Sequence, residues 1–195
     1  IWFPNNLEIL LQGGNVKKIL IYLLSIGIFG VASIANSQTI RIGTEGAYPP
    51  WNNLNSAGEL EGAEIDFGNE ACKRMGVTCE WVTQDWDGII PALLQGKYDI
   101  IIAGMSITEE RKEKVNFTTG YMTDGARFAV LKNSGLANLN IAGMAKVNLN
   151  NAGGKEQAAI GQLIAAMDGK TVCVQSSTIH QNFLEKHMSG AVDVK

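Results

Sequence analysis

A hydroxyl, a candidate helix start and an arginine occur within a short stretch in the middle of the sequence. Ser106 follows an apolar run, Thr108 is a candidate N-cap, and Arg111 falls in the first turn of the helix that would follow. Amides at a helix N-terminus attract anions, and a guanidinium can hold both oxygens of a carboxylate. The segment is therefore a candidate carboxylate site, although the pattern by itself is better explained as a solvated helix face.

A second group of candidate ligand contacts follows the first predicted strand. Glu45 could pair with a cationic group, and the rings of Tyr48 and Trp51 could flank its aliphatic part. Trp86 fits either a pocket wall or the core. The plain interpretation, a polar loop whose aromatic residues cap the core, is favoured by the pattern alone. His180 stands without a metal-ligand partner in the sequence and is interpreted as a structural or surface residue.

The composition excludes several function classes. With 46% hydrophobic and 18% charged residues the chain is of ordinary globular type, and its formal net charge of -3 argues against a nucleic-acid surface. The sequence contains no Ser-His-Asp order, no nucleotide-binding glycine loop and no zinc-ligand spacing. It therefore predicts a protein that is not an enzyme and that carries no metal or cofactor.

Strand and helix signals alternate over the elements that must position these residues. Strands are predicted at 39–43, 77–82, 98–103 and 126–131, and helices at 64–75, 87–94 and 108–113. The alternation predicts an α/β lobe with a mostly parallel sheet. The continuous apolar run at 98–103 is typical of a strand buried on both faces. Ligands of such sheets bind at the carboxyl ends of the strands, where the loops 44–51 and 103–108 lie.

A second α/β unit is predicted nearer the end of the chain. Residues 133–154 are rich in Asn, Gly and Ala and are interpreted as a connector. A helix at 155–167, a strand at 171–174 and a helix at 177–187 follow, and the final AVDVK is typical of the start of another strand. So few elements cannot bury their apolar faces alone. We therefore expect a second lobe that is incomplete at Lys195.

The N-terminal region has the layout of a secretory signal peptide. Lys17 and Lys18 precede an apolar run at 19–34, and small residues follow. We predict a signal peptide at 16–35, cleaved after Ala35 or, as second choice, after Ser37. A membrane anchor is the alternative, but the run is short for a span. Residues 1–15 are interpreted as translated upstream sequence, and the export signal predicts a periplasmic protein.

Three cysteines allow more than one interpretation. Cys72 and Cys79 lie at the end of a predicted helix and in the following strand, where an exported protein permits a disulfide. Two buried free thiols are the alternative. Cys173 falls in an apolar strand and is predicted to be a buried thiol.

Long runs of the sequence resemble the periplasmic polar amino-acid-binding proteins. They are IRIGTEGAYPPWN, LEGAEIDFGNEACKRMGVTCEW and DWDGIIPALLQGKYDIIIAGMSITEERKEKVNFT. The nearest groups bind lysine, arginine, ornithine and histidine, or the opines octopine and nopaline. The resemblance extends from about Thr39 to the end and is strongest up to Tyr121. It implies a type II periplasmic-binding-protein fold of two α/β lobes that close on one ligand, and a Cys72–Cys79 disulfide.

On this resemblance the domains and the carboxylate contacts can be assigned. Lobe 1 would span 36–131, and 132–195 would hold the hinge or an insertion and the start of lobe 2. Arg111 would bind the ligand α-carboxylate, helped by the backbone amide of Ser106 and by Thr178 of lobe 2. Gly104 and Met105 would lie in the same pocket loop.

The resemblance also implies how a ligand side chain would be held. Tyr48 and Trp86 would sandwich it, and Glu45 would meet its distal cation at a position that is Asp in lysine and ornithine binders. Ala103 and Gly104 stand where lysine–arginine–ornithine binders carry two serines, which leaves more space. A bulkier guanidino or opine ligand then becomes plausible.

These implications combine into one functional expectation. The chain is expected to be the monomeric substrate-binding subunit of an amino-acid ABC importer. Its ligand would be arginine, ornithine, lysine or an opine, delivered to an inner-membrane permease. The alternatives are a periplasmic dehydratase-type enzyme on the same fold and a ligand-sensing domain of a receptor.

Overall fold

The computed structural model of the protein describes residues 38–141 and 153–195. The predicted upstream segment, the signal peptide and both cleavage points lie outside these residues, as does much of the predicted connector. Within the described ranges, no helix combines the length and the apolar character that crossing a membrane requires.

Strands and helices alternate along the described chain. The elements are β1 (Thr39–Thr44), β2 (Ala47–Tyr48), β3 (Asn52–Leu54), β4 (Leu60–Glu61), α1 (Ala63–Met75), β5 (Thr78–Thr83), a 3-10 turn (Trp86–Gly88), α2 (Ile89–Leu94), β6 (Ile100–Ile101), α3 (Glu109–Lys112), α4 (Gly154–Met167), β7 (Thr171–Val172), α5 (Ile179–Met188) and β8 (Asp193–Val194). We refer to β1 through α3 as the first lobe and to α4 through β8 as the second lobe. The predicted domain limits of 36–131 and 132–195 stay predictions.

A parallel sheet in the order β5-β1-β6 forms the centre of the first lobe, as predicted. Its third strand is shorter than expected, since only Ile100 and Ile101 pair with β1. The prediction of a strand buried on both faces is wrong, because β6 lies at the edge of the sheet in the described part of the chain and Ile100 is 41% exposed. Beyond the ladder, Ile102 and Ala103 turn into the core.

Helix α1 packs on this sheet through small and apolar side chains. Ile65, Gly68 and Cys72 are buried, at the predicted helical spacing. Gly68 makes room for the ring of Trp81, since a Cβ at this position would stand 2.6 Å from Trp81 Cζ2. The helix ends as predicted at Gly76, whose left-handed φ of 70° glycine adopts without strain.

The Cys72–Cys79 disulfide joins α1 to β5, with the two Cα atoms 6.0 Å apart. The disulfide prediction is confirmed and the free-thiol alternative is wrong. The bridge closes the short turn between helix and strand, so α1 is fixed against the strand next to β1.

The second lobe has its own small core. Strands β7 and β8 pair in parallel, which confirms that a strand begins in AVDVK. The core is formed by Met167, Val172, Leu184, Met188 and Val192. Cys173 is exposed, so the prediction of a buried thiol is wrong. Successive side chains of a strand point to opposite faces, and Val172 occupies the inward one.

The strand predicted at 126–131 is absent, since the structure assigns no strand there. Phe128, Val130 and Leu131 are exposed. A β-propensity run forms a strand only where a second strand supplies its hydrogen bonds. None of the described sheets includes this segment.

Reduction of the disulfide is expected to lower the free energy of unfolding by roughly 2 kcal/mol, because the bridge removes loop entropy from the unfolded chain. That corresponds to a fall in Tm of about 4–8 °C. Thermal unfolding with and without reductant measures the effect. Cys173→Ala, which removes only the exposed thiol, is the control. The same Tm under both conditions would contradict the prediction.

Candidate functional site

Arg111 stands half-buried in the short helix that follows β6. Thr108 caps α3 as predicted, its Oγ1 accepting a hydrogen bond from the Arg111 amide at 3.2 Å. Arg111 Nη1 donates to the Ser106 carbonyl at 2.8 Å. Because α3 has only four residues, the anion attraction expected of a helix N-terminus is minor here. The guanidinium is therefore the group that can hold a carboxylate.

The guanidinium lies over Trp86, with Arg111 Cζ 5.3 Å from the ring centroid. Burial lowers the pKa of Arg111, against a smaller opposing effect of Glu110. An arginine stays charged in proteins even so. The result is a partly desolvated cation beside an aromatic ring, an arrangement that an incoming anion stabilises.

The second lobe reaches this site through the backbone of Ser177. Its carbonyl accepts hydrogen bonds from Trp86 Nε1 at 3.0 Å and from Arg111 Nη2 at 3.1 Å. Ser177 has a φ of 58°, which is uncommon for a residue other than glycine. Its amide donates to Gln181 Oε1 at 2.7 Å.

Thr178 is the N-cap of α5 and is 7% exposed. Its Oγ1 accepts from the Gln181 amide at 3.2 Å and donates to the Gln175 carbonyl at 2.8 Å. The hydroxyl therefore organises the loop 175–178. The ligand contact predicted for Thr178 stays a prediction.

An acidic cavity of about 200 Å³ lies between the two lobes. Its walls are Glu45, Ala47, Asp85, Trp86, Asp87, Gln175 and Ser176. Of the predicted positions, Glu45 and Trp86 meet here. A larger hollow of about 370 Å³ is lined by Ile107, Lys112, Val115, Asn116, Phe117 and Thr118 and includes none of them.

Two side-chain contacts cross the cavity. Gln175 Nε2 donates to Glu45 Oε1 at 2.6 Å. Ser176 Oγ lies 3.0 and 2.9 Å from the two carboxylate oxygens of Asp87. Sequence reasoning missed Asp85 and Asp87 as cavity residues. They flank Trp86 directly in the chain, and that position was the available signal.

Tyr48 and Gly104 pack against each other on another side of the site. Gly104 has a φ of 58°, and a Cβ there would stand 3.1 Å from Tyr48 Cε1. Burial and the nearby Asp124 raise the pKa of Tyr48. The ring of Trp86 contacts Arg111, whereas that of Tyr48 covers Gly104, so the two aromatic residues have different neighbours. The predicted sandwich therefore stays a prediction.

Met105 and Ser106 support the loop between β6 and α3. Met105 packs on the cluster that contains Ile89, Ala92, Tyr98 and Ala103. Ser106 contributes its carbonyl to Arg111, and the ligand contact predicted for its amide is untested. Among residues 38–141 and 153–195, no group of three or more His, Cys, Asp or Glu could hold a metal ion.

Comparison with known proteins relates the chain to a protein family. The model of the bacterial extracellular solute-binding proteins, family 3, matches residues 40–190. The octopine-binding periplasmic protein of Rhizobium meliloti is 42% identical over 175 residues, covering 89% of this chain and 59% of that protein. The L-arginine-binding protein of Pseudomonas aeruginosa is 40% identical over 120 residues, 62% of this chain and 46% of that protein.

A solved structure shows the same likeness. It is a periplasmic His/Glu/Gln/Arg/opine family-binding protein from Silicibacter pomeroyi in complex with lysine. The TM-score is 0.53 at 37% identity, over 80% of this chain and 56% of the other. The chain thus spans between 46% and 59% of the length of the two curated relatives above. Both are named as binding proteins and not as enzymes.

Gly104→Ala is expected to lower the free energy of unfolding by about 2 kcal/mol. The new Cβ is strained by the left-handed backbone conformation, and it also comes too close to the ring of Tyr48. Gly58→Ala is the matched control. Gly58 has a φ of 80° and nothing within 4 Å of the added Cβ, so backbone strain alone should cost about 1 kcal/mol. Urea unfolding measures both variants. Equal costs would show that Tyr48 does not press on Gly104.

Proposed function

The chain belongs to the bacterial extracellular solute-binding proteins, family 3, and on that basis we propose that it is the substrate-binding subunit of an ABC importer for a cationic amino acid or an opine. Family membership confirms the resemblance and the α/β binding-protein fold expected from the sequence. One observation carries the ligand class. Trp86 is in contact with Arg111 and is also a wall of the acidic cavity, so a cation and a group of carboxylates share this ring as a neighbour.

This charge arrangement complements a ligand that is anionic at one end and cationic at the other. Arg111 can take the α-carboxylate in place of the carbonyl of Ser177, since a charge-assisted, bidentate bond is stronger than a bond to a neutral carbonyl. Glu45 and the two aspartates of the cavity attract an ammonium or guanidinium group. Trp86, which neighbours both groups, offers an apolar ring to the aliphatic part of such a ligand.

The named relatives support two versions of the ligand. The 42% identical relative is named for octopine and the 40% identical one for L-arginine. A guanidinium is common to both ligands, so the acidic cavity suits either. An opine differs from arginine by a second carboxylate.

Ligand capture is coupled in this proposal to contact between the lobes. Residues 175–177 already bond to Glu45, Asp87, Trp86 and Arg111. A ligand that engages the same groups adds contacts available only when the lobes are together, and so shifts the population toward the closed form.

The cellular setting is part of the proposal. Relatives are named periplasmic binding proteins, and residues 16–35 have the pattern of a signal peptide cleaved after Ala35. We propose that the processed protein is a monomer in the periplasm, binds no nucleic acid, and delivers its ligand to an inner-membrane ABC permease.

A thermal-shift screen of the common amino acids, octopine and nopaline tests the ligand class. A ligand at 100 times its Kd should stabilise the protein by about 2.7 kcal/mol, which raises Tm by about 5–10 °C. We expect arginine, ornithine, lysine or an opine to produce this shift. A shift with only neutral or acidic amino acids would contradict the cationic ligand, and no shift with any compound would contradict the function.

Calorimetry on two site variants tests the roles of the charges. Arg111→Ala should weaken binding by about 100-fold or more, because it leaves the ligand carboxylate without its partner. Glu45→Gln should weaken it about tenfold, because the charge that faces the cationic end is lost. Arg74→Ala and Glu80→Gln remove the same charges from exposed positions of the first lobe. If these controls weaken binding as much, the effect is one of net charge and the assigned roles are wrong.

Expression in a Gram-negative host tests export. Cleavage after Ala35 should leave Asn36 as the first residue of the periplasmic protein, because the signal peptidase cuts after small residues. Intact-mass measurement and N-terminal sequencing check this outcome. An unprocessed protein in the membrane fraction would support the anchor alternative.

A further inference from the structure

A carboxylate that the proposed binding function does not use is buried beneath the site. Glu64 lies in the first turn of α1 and is 2% exposed. Its Oε1 accepts hydrogen bonds from the Gly104 amide at 2.7 Å and from the Tyr121 hydroxyl, and its Oε2 accepts one from Asn52 Nδ2 at 2.6 Å. These three donors are neutral, so hydrogen bonding compensates for burial of the carboxylate.

Asn52 extends these contacts to the loop after β1. The side chain is fully buried, and its Oδ1 accepts from the Gly46 amide at 2.8 Å. Each end of the Asn52 amide is thereby committed, the oxygen to Gly46 and the nitrogen to Glu64. A continuous chain of hydrogen bonds runs from Gly46 through Asn52 and Glu64 to Gly104.

The two ends of this chain are the loops that carry the candidate ligand contacts. Gly46 directly follows Glu45 at the end of β1, and Gly104 lies in the loop between β6 and Arg111. The ring of Tyr48 rests on Gly104. Any change in the separation of Gly46 and Gly104 therefore moves Glu45 and Tyr48 relative to Arg111.

Helix α1 holds Glu64 in place from the other side. The Glu64 amide donates to the Trp51 carbonyl at 2.9 Å, and the next residue, Ile65, is buried in the core. Amides of the first helical turn also favour a negative charge at this position. The carboxylate is thus held on a helix that packs on the sheet, and from there it reaches both loops.

We propose that Glu64 is a positioning residue for ligand binding, which sets the loop of Glu45 and Tyr48 against the loop of Gly104 and Arg111 without touching the ligand. The proposal rests on the proposed function. It assigns Glu64 a role in affinity that is separate from its contribution to stability.

Chemistry predicts that the isosteric variant Glu64→Gln breaks this chain. An ionised carboxylate only accepts hydrogen bonds, and all of its partners here donate. The NH2 of a glutamine must face either Asn52 Nδ2 or the pair formed by Gly104 and Tyr121. Rotation of the Asn52 amide cannot relieve the first conflict, because its nitrogen would then face the Gly46 amide.

A second substitution can restore every bond. With Asn52→Asp added to Glu64→Gln, the new carboxylate at position 52 accepts from the Gly46 amide and from the new NH2 at position 64. The remaining oxygen at position 64 accepts from Gly104 and Tyr121. The pair of substitutions exchanges the amide and the carboxylate and keeps the net charge and almost all of the volume.

The test compares the full-length protein that the gene encodes with Glu64→Gln and with the double variant. Calorimetry with L-arginine and with octopine measures Kd at a temperature well below the Tm of each protein. Thermal unfolding verifies that each protein is folded at that temperature. We expect Glu64→Gln to weaken binding by roughly tenfold or more, and the double variant to recover to within about threefold of the wild type. In NMR spectra, the amide signals of Gly46 and Gly104 should shift in the single variant and return toward their wild-type positions in the double variant.

Each other outcome counts against the proposal or against the function, and the two are distinguishable. A folded Glu64→Gln variant with wild-type affinity would overturn the positioning role, as would a folded double variant that binds as weakly as the single one. If the wild type binds neither probe, the proposed ligand class is wrong. The NMR amide signals then test whether Glu64 couples the two loops. A Gly46 signal unchanged by Glu64→Gln would then show that the two loops are not coupled.

Discussion

The candidate site depends on the parallel pairing of β1 with β5 and β6. Because the three strands run in one direction, the segments that follow them emerge at the same edge of the sheet. Glu45, Trp86 and Arg111 belong to three such segments and are far apart in the sequence. The buried Tyr98, whose hydroxyl donates to the Ile89 carbonyl, ties the start of α2 to this sheet. The sheet therefore determines which side chains can share a ligand.

The cation and the acidic cavity that share Trp86 as a neighbour give the site its chemical character. A half-buried guanidinium lacks part of its hydration, and the carbonyls of Ser106 and Ser177 replace it only partly. The carboxylates of the neighbouring cavity attract a cation instead. A zwitterion with a distal cation satisfies both at once, and the contacts of residues 175–177 bring the second lobe to the same place. Glu64 belongs to a different layer, in which a buried carboxylate connects the loops beneath these groups.

Local sequence patterns predicted where helices and strands lie better than they predicted which residues are buried. Helical spacing located α1, Gly76 marked its end, and Thr108 capped α3, since each depends on residues within about one turn. The expected burial of Ile100 and of Cys173 was wrong. Burial depends on which neighbours pack on a face. A short apolar run does not indicate whether its strand lies at the edge of a sheet, or which of its side chains point outward. The strand expected at 126–131 did not form, because no strand of the described sheets pairs with it.

Family membership and the disulfide could be expected from the sequence alone, because long runs of residues resemble the binding proteins. The same resemblance singled out Arg111 as the candidate partner of a ligand carboxylate. The acidic cavity and the role of Glu64 were decided only by the tertiary structure. Glu64 occupies an ordinary first-turn position, where an acidic side chain is usually solvated. Its partners Asn52, Gly104 and Tyr121 are 12, 40 and 57 positions away. Hydrogen bonds over such separations form only after the sheet and helix have brought the loops together, so no local pattern encodes them.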